Sequence, residues 1–430
     1  MNQRVVVTGL GVVGGLGFHW RDFWVALLAG ESAVVPWQPG AITDFPVRYA
    51  APVDDAAFAD TFAAQLDSLP PMERRSRFGA MAASAALADA GFKGDGDVHL
   101  GVAVGSGIPE RDMNDMLLAM TDTGPSWDAL YARRAGLNPA LRAGNDQLGA
   151  VIARMCQARG PVQNFSTACA GAAHAIGSSF RMIRNGEINC MIAGGADSVL
   201  SPMTMTGLHL LGAPSVNEEL GDKLCRPFDE ARSGFVAAEG GCFVVLESLP
   251  HALARGATIY GEIVGFGSSM DAYRVTAPHP EGRGAAQAMA NALRDANLAP
   301  SAIDYINAHG TSTPLNDPAE TMAIKQVFAA DEHYRKLAVS ATKSQIGHWI
   351  AAAGAPEFVA TLLAARDGIA PPTLNLETPD PDCDLDYVPG HARAMPIGAA
   401  LSNSFGFGGL NASLIVKPYS TCSAGQGVSP

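Results

Sequence analysis

The sequence predicts an α/β fold made of two similar halves packed as layers. Strand-like and helix-like segments alternate along the first part of the chain, and the same alternation restarts near Tyr260. In both parts, residues with reactive side chains follow directly after a strand, as Cys169 does in the first and His309 in the second. In layered α/β folds, chemistry collects at the carboxyl ends of the strands. We therefore expect the functional residues at those strand ends.

The first half is expected to span residues 1–258. Residues 30–70 lack a periodic pattern and predict loops, residues 109–150 predict a helical insertion with loops, and residues 201–240 predict a long segment that covers a site. Residues 9–14 match the dinucleotide fingerprint, but we reject it because no helix opens at once and no acidic residue follows a second strand. The predicted strands are residues 5–14, 99–107, 162–165, 190–193 and 241–247, and the predicted helices are 20–28, 77–90, 170–185 and 249–255.

The second half is expected to span residues 259–418, followed by a tail over 419–430. Its predicted strands are residues 259–267, 303–308, 338–340, 399–402 and 412–416, and its predicted helices are 284–296, 318–327 and 350–364.

Composition narrows the class of protein. The 430 residues are 48% hydrophobic and 17% charged with 47 glycines, which is typical of a globular enzyme. A net charge of −13 argues against nucleic acid as the main partner. No apolar run reaches the roughly 18 residues that span a bilayer. The seven cysteines lack disulfide or metal-ligand spacing, so we expect a reducing cytoplasm and no bound metal.

Cys169 lies in a turn of small residues between a predicted strand and a predicted buried helix. Most free cysteines are inert packing residues. A helix start, however, offers free N–H groups and a positive dipole end, which favour a thiolate. The small neighbours leave room for a carbonyl to approach the sulfur, so Cys169 is a candidate nucleophile.

Three further motifs accompany Cys169. His309 follows a predicted strand and precedes Gly310 and two threonines. Lys343 and His348 lie close together just before a predicted helix of small residues. Packing of such a helix does not require a lysine or a histidine there. The loop over residues 403–411 interleaves glycines with two phenylalanines, so its backbone can approach a ligand closely.

In this order, the motifs resemble the elongating β-ketoacyl-acyl-carrier-protein synthases and the ketosynthases of type II polyketide pathways. The resemblance runs from Val5 to about Pro418 and includes the Arg-Pro-Phe-Asp run at 226–229. It implies a thiolase-like fold of two duplicated halves in five layers, αβαβα. It also implies a dimer, a homodimer or a heterodimer with a chain-length-factor-like subunit, with the active site near the interface.

The resemblance implies roles for the catalytic positions. Cys169 is similar to the acyl-accepting nucleophile, and His309 and His348 are similar to the pair that holds the malonyl thioester. Lys343 is similar to the lysine that orders the site, with Glu320 as its expected charge partner.

It implies supporting roles as well. Phe405 is similar to a gating phenylalanine whose N–H completes the oxyanion hole with that of Cys169, and Phe407 is similar to a second gate-loop phenylalanine. Thr311 and Thr313 are similar to a pair that binds the phosphopantetheine arm, and Ile108 is similar to a residue bordering the acyl pocket. Arg74, Arg75 and Arg77 are similar to basic residues that dock the carrier.

The implied reaction is a decarboxylative Claisen condensation on an acyl carrier protein, with no metal or redox cofactor. Five departures from the family's usual residues suggest a non-standard acyl chain, such as a polyene or polyketide. They lie at residues 345–346, 349, 109, 410 and 170–172.

Other classes of protein fit these motifs less well. An initiating synthase or a thiolase pairs its cysteine with His and Asn, or with His and a second Cys, and not with two histidines and a lysine. An unrelated thiol hydrolase would not need the loop that contains the two phenylalanines. A non-catalytic, chain-length-factor-like subunit usually lacks the nucleophile that is present here.

Overall fold

The computed structural model describes residues 2–39, 42–69, 72–92, 99–109, 120–126, 128 and 144–420. Most of the predicted insertion at 109–150, and the tail beyond residue 420, lie outside the described residues. Ten strands of the described chain form one sheet. In chain order, β1 to β10 are Val5–Val13, Leu100–Gly105, Val162–Phe165, Cys190–Ser198, Glu239–Ser248, Gly261–Met270, Tyr305–Asn307, Ala338–Ser340, Ala400–Gly406 and Leu410–Lys417.

Eleven α-helices are described, together with short 3₁₀ turns and two-residue hairpins. In chain order, α1 to α11 are Trp20–Ala29, Asp55–Asp67, Arg74–Asp89, Gln147–Met155, Gly171–Arg184, Pro202–Leu210, Leu249–Ala254, Arg283–Ala296, Asn316–Val327, Lys343–Ile346 and Gly354–Asp367. The 3₁₀ turns are Ala168–Ala170, Glu218–Lys223, Pro300–Ala302, Ala330–Arg335, Ile350–Ala352 and Phe407–Gly409. The hairpins pair Val35–Pro36 with Tyr49–Ala50, Met120–Thr121 with Gly124–Pro125, and Ile369–Ala370 with Arg393–Ala394.

The strand order shows the duplication directly. The sheet runs β3-β2-β4-β5-β1 and continues β6-β10-β9-β7-β8, so the two halves are mirror-ordered copies of one pattern. In each copy, the second strand is parallel to the third and fourth, and the fifth is antiparallel to the fourth and first. The antiparallel pairing of β1 with β6 joins the copies.

Helices complete the layers on both sides of each half-sheet. Helix α3 covers the outer face of the first half, and α8 with α9 covers that of the second. Helices α5 and α11 lie between the halves and contact each other. The protein therefore has the five-layer αβαβα arrangement of the thiolase fold.

Small residues allow the central layer to pack closely. A Cβ added to Gly105 at the end of β2 would lie 2.1 Å from the nitrogen of Ala172 in α5. A Cβ added to Gly177 would lie 2.3 Å from the ring of Phe266. Both α5 and α11 are buried almost all round, as the apolar composition of the predicted helices indicates.

Two predictions of local structure were wrong. Helix α2 occupies part of the 30–70 segment predicted as loops; its N-cap Asp54 accepts a hydrogen bond from the N–H of Ala57, and Phe58 packs edge-on against Phe78 of α3. The helix predicted at 350–364 begins only at Gly354, because Ile350–Ala352 forms a separate 3₁₀ turn. Among the described residues, no helix combines the length and apolar composition needed to cross a membrane.

Candidate active site

Cys169 lies on a strained elbow between β3 and α5. Ala168 before it has the left-handed φ of 45°, which is unusual for a residue with a Cβ. His174 steadies the elbow, because its Nδ1 lies 3.0 Å from Thr167 Oγ1 and 3.0 Å from the carbonyl oxygen of Ala170. Cys169 is only 7% exposed. The sequence predicted this strand, turn and helix, and the structure places them as expected.

Burial and the helix start act in opposite directions on the pKa of the Cys169 thiol. Burial raises the pKa of the Cys169 thiol to about 11, against the lowering effects of Lys343 and of the backbone N–H groups of Phe407 and Cys169. Desolvation of a charge outweighs the partial charge of a helix terminus here. Cys169 is therefore a neutral thiol at pH 7.

Two histidines face the sulfur from the second half. His309 follows β7, and His348 follows α10 after Gly347, whose φ is 69°. One ring nitrogen of each histidine and the Cys169 sulfur all lie within 4.8 Å of one another. The two ring centroids are 5.5 Å apart and the rings are nearly perpendicular, at 84°. Three segments that are distant in the sequence thus meet at one buried point.

Hydrogen bonds behind the rings fix which nitrogen carries the proton. The N–H of Ile350 donates to His348 Nδ1 at 3.1 Å, and Lys343 Nζ donates to His309 Nδ1 at 3.1 Å. Because each Nδ1 accepts, each Nε2 carries the hydrogen in the neutral ring. Burial, reinforced by the positive charge of Lys343, holds the pKa of both histidines well below its usual value. Both are neutral Nε2–H donors.

The same hydrogen bonds argue against a metal ion at this site. One cysteine and two histidines within 4.8 Å have the residue types of a zinc site. A histidine that binds a metal through Nε2 must carry its hydrogen on Nδ1 and usually donates it to an acceptor. Here both Nδ1 atoms face donors, the Ile350 N–H and the Lys343 ammonium. The arrangement suits hydrogen-bond donation to a substrate oxygen rather than metal ligation.

The predicted pairing of Lys343 with Glu320 is wrong. Lys343 Nζ forms its ion pair with Glu357 of α11 and also donates to the carbonyl oxygen of His309 at 2.7 Å. Glu320 instead accepts the N–H groups of His309 and Gly310, each at 2.8 Å. Glu320 therefore supports the backbone that carries His309, and Glu357 is a residue the sequence reasoning missed. An acid within the apolar run at residues 354–365 is the signal that identifies it.

The gate-loop N–H beside the Cys169 sulfur belongs to Phe407, and not to Phe405 as expected. The backbone N–H of Phe407, together with that of Cys169, reaches the Cys169 sulfur. Phe405 is still within β9, paired with Asn411, and its buried ring packs 5.8 Å from that of His309. Phe407 is therefore the gate-loop residue whose N–H faces the sulfur, and its half-buried side chain packs against the cluster containing Phe235 and Ile350.

The two threonines lie side by side beyond His309. Thr311 Oγ1 and Thr313 Oγ1 are 2.9 Å apart, and the N–H of Thr311 donates to Asp317. Thr311 is buried and Thr313 is half-buried. Ile108, at the end of the segment after β2, is 41% exposed. Their roles toward an arm or an acyl chain stay predictions.

The basic group at the start of α3 is largely engaged within the protein. Arg75 is fully buried and donates to Glu73 and Ser106, so the docking role expected of it is wrong. Arg74 donates to Glu239 at 2.8 Å and pairs with Asp55. Arg77 is exposed.

Two of the departures from the family pattern lie away from the sulfur. Gln345 donates to the carbonyl oxygens of Leu27 and Glu31, and Trp349 packs its ring over Gly14 and Gly240 in the core. Neither side chain therefore argues for an unusual acyl chain.

A thiol at a strained elbow, faced by two neutral imidazole donors on a duplicated five-layer fold, defines an acyl-transferring enzyme of the thiolase fold. The chain belongs to the beta-ketoacyl synthase family. Residues 2–252 match the model of the family's N-terminal domain, and residues 260–377 match that of its C-terminal domain.

Curated relatives and solved structures support the same family assignment. The chain is 44% identical over 422 residues to the 3-oxoacyl-[acyl-carrier-protein] synthase 2 of Coxiella burnetii, covering 96% of this chain and 98% of the relative. It is 41% identical to that of Synechocystis sp., covering 97% and 98%.

Among solved structures, a type II polyketide ketosynthase in complex with its acyl-carrier protein (AntDE:AntF) matches with a TM-score of 0.87 at 33% identity, covering 97% of this chain and 100% of that one. The ishigamide ketosynthase/chain length factor matches with a TM-score of 0.85 at 32% identity, covering 98% and 100%.

Proposed function

We propose that the protein is a 3-oxoacyl-acyl-carrier-protein synthase, which extends an acyl chain by two carbons through decarboxylative condensation with a malonyl thioester. The observation that carries the proposal is the meeting of the Cys169 sulfur with two histidines fixed as Nε2–H donors. The curated relatives over nearly the whole chain bear the same activity in their names.

In the first half-reaction, the acyl group moves from its carrier thioester to Cys169. The sulfur–carbonyl bond forms as the carrier thiolate leaves, and the thiol proton passes to that leaving group. The N–H groups of Cys169 and Phe407 stabilise the tetrahedral oxyanion. Because the pKa of the thiol is about 11, the proton leaves only as attack proceeds.

In the second half-reaction, malonyl-carrier binds with its thioester oxygen toward His309 and His348. Loss of CO₂ leaves the bonding electron pair on the enolate, and the two Nε2–H groups stabilise its oxygen. The enolate carbon attacks the acyl-Cys169 carbonyl, and the Cys169 thiolate leaves and takes a proton from solvent, which restores the neutral thiol. Neutral histidines suit this step, since each keeps a hydrogen to donate without a prior proton transfer.

We infer that the substrates arrive on the phosphopantetheine arm of an acyl carrier protein, with Thr311 and Thr313 contacting the arm and Arg77 contacting the carrier. The similar ketosynthase solved with its acyl-carrier protein supports this inference. The proposed chemistry draws on no metal or redox cofactor. A reactive thiol requires a reducing compartment, so we propose the cytoplasm.

We also propose a dimer, either of two copies or with a chain-length-factor-like subunit. Strand β3 is the edge of the sheet on the nucleophile's side and exposes Val162, 44% accessible. An exposed edge strand with an apolar residue is a pairing surface. Light scattering on the purified chain distinguishes a self-paired dimer from a monomer that needs another subunit.

Intact-mass spectrometry tests the function. The protein is incubated with a panel of acyl-carrier thioesters, as wild type, as Cys169→Ala and as the control Cys156→Ala. We expect a mass gain equal to the acyl group in wild type and in the control, and none in Cys169→Ala. Malonyl-carrier should then discharge the acyl group as a β-ketoacyl carrier. Loading of Cys169→Ala, or loading that malonyl-carrier never discharges, contradicts the proposal.

A further inference from the structure

A buried aspartate outside the reacting groups connects two segments that flank the nucleophile. Asp197 lies near the end of β4 and is 0% exposed. Its Oδ2 accepts the N–H of Gly107 at 3.2 Å and the N–H of Ala351 at 3.0 Å. Gly107 precedes Ile108 in the segment after β2, and Ala351 belongs to the 3₁₀ turn that follows His348. One oxygen atom thus joins the two segments.

The packing around Asp197 leaves little room for either segment to shift. A Cβ added to Gly171, the first residue of α5, would lie 3.0 Å from the carbonyl oxygen of Ala351. One added to Gly195 would lie 2.4 Å from the carbonyl oxygen of Gly105 and 3.1 Å from Cα of Ala352. The start of the nucleophile's helix therefore contacts the same turn that Asp197 holds.

That turn also determines the tautomer of His348. Ile350 has a φ of 47°, a left-handed conformation that is costly for a β-branched residue. In this conformation its N–H donates to His348 Nδ1 at 3.1 Å. Ala351 is the next residue, so the hydrogen bond from its N–H to Asp197 holds the strained turn in place.

Stability alone does not account for Asp197. Among the described residues, its Oδ1 has no hydrogen-bond partner although it is buried, and burial raises the pKa of this carboxyl to about 7. A buried, unsatisfied carboxylate oxygen is destabilising. Its charge also raises the pKa of Cys169. A residue that costs stability and opposes ionisation of the nucleophile is expected to have another role.

We propose that Asp197 is a positioning residue that fixes His348 as an Nε2–H donor by holding the Ile350–Ala351 turn. This inference rests on the proposed condensation, because a defined tautomer of His348 matters only if the ring donates to a thioester oxygen. Asp197 acts through His348 and touches no substrate. Its removal should therefore affect CO₂ loss from malonyl-carrier more than acyl loading of Cys169.

The test measures the two half-reactions separately in Asp197→Leu and Asp197→Asn. Acyl loading is followed by intact mass, and CO₂ release is followed with the acylated enzyme and malonyl-carrier. We expect Asp197→Leu to load within about threefold of wild type and to release CO₂ about 10²-fold more slowly, the effect of one misplaced donor. Asp197→Asn keeps an oxygen acceptor and should lose less than about tenfold in CO₂ release.

Asp229 provides a matched control. It is buried like Asp197, and its Oδ2 likewise accepts two backbone N–H groups, those of Glu377 and Thr378 at 2.8 Å each. Asp229→Leu should lower the melting temperature and change both half-reactions by the same factor. A purely structural Asp197 would behave in this way.

A double variant gives the decisive readout. In a His348→Ala background, Asp197→Asn and Asp197→Leu should cause no further loss of CO₂ release, because the group they act through is gone. Additive losses, or equal losses in loading and CO₂ release for both Asp197 variants, overturn the inference. If wild type itself releases no CO₂ from malonyl-carrier, the proposed function fails instead. If Asp197→Leu does not fold, Asp197→Asn and its double variant decide.

Discussion

In the first half of the molecule, the third strand leads through an elbow into the central helix α5, and the elbow carries Cys169. In the second half, the third strand leads through Lys343 and His348 into the central helix α11. The two helix starts face each other, since a Cβ added to Gly354 would lie 3.0 Å from that of Ala173. Duplicated topology thus brings two strand-to-helix turns to one point.

The two turns differ in charge. The first turn of α5 has no acidic residue, and the nucleophile there is a neutral thiol. The first turn of α11 holds Glu357, which is buried and paired with Lys343. Under the proposed mechanism, the first half supplies an uncharged acceptor for the acyl group, and the second half supplies the charged framework that orients the hydrogen-bond donors.

The largest expected effect comes from breaking that framework with Lys343→Met. Glu357 would be left buried without its cation, and His309 Nδ1 would lose its donor. We expect a loss of about 3–5 kcal/mol in the free energy of unfolding and a fall in condensation of more than about 10³-fold. Denaturant unfolding and steady-state kinetics measure the two.

Lys325→Met is the control, because Lys325 pairs with Asp384 at the surface. An exposed pair contributes no more than about 1 kcal/mol. Equal destabilisation by the two variants would show that the buried pair has no special role.

The next effect isolates the oxyanion donor of the gate loop. Phe407 is the first residue of a 3₁₀ turn, where proline is well tolerated. Phe407→Pro removes the N–H, whereas Phe407→Ala removes the ring and keeps it. We expect Phe407→Pro to load acyl groups about 10²–10³-fold more slowly than Phe407→Ala. Equal loading rates would show that the N–H of another residue, such as Phe405, is the oxyanion donor.

The sequence was sufficient to identify the polar and reactive side chains that a buried core does not need for packing. Cys169, His309, Lys343 and His348 stand at strand ends or helix mouths among apolar or small neighbours, and the structure brings them together. The strands could be predicted where a short apolar run is bounded by glycine, as in residues 100–105.

The partners of those groups could not be predicted. Glu320 and Glu357 are both buried side chains, and only the orientation of α9 and α11 decides which carboxylate reaches Lys343. Phe405 and Phe407 are two residues apart, and the extent of β9 decides which N–H faces the sulfur. The sequence predicts Arg75 to be a surface residue, whereas in the structure it is buried and donates hydrogen bonds to Glu73 and Ser106.

The pH dependence of alkylation sharpens the difference in charge between the two helix starts. Because the pKa of Cys169 is about 11, the thiolate fraction is small at neutral pH and grows as the pH rises. We expect iodoacetamide alkylation of Cys169, measured by mass in a Cys156→Ala background, to speed up about tenfold per pH unit from 7 to 9. Lys343→Met should be slower at each pH, since the cation lowers this pKa. A plateau near pH 8 would mean that the helix start stabilises the thiolate after all.

The smallest effect concerns the outer surface of the first half. Arg77 is exposed on α3, whereas its neighbour Arg75 is fully buried. If Arg77 contacts an acidic carrier protein, Arg77→Glu should raise the KM for acyl-carrier about two- to fivefold, the value of an exposed ion pair, and leave kcat unchanged. The effect should shrink in high salt, because surface charges are screened. A small pantetheine thioester lacks the carrier and should keep its KM.

Arg335 is an exposed arginine of the second half, so Arg335→Glu is the matched control and should change neither KM. Because a general loss of activity would raise the KM for both substrates, a change confined to the carrier-bound substrate is what assigns Arg77 to docking.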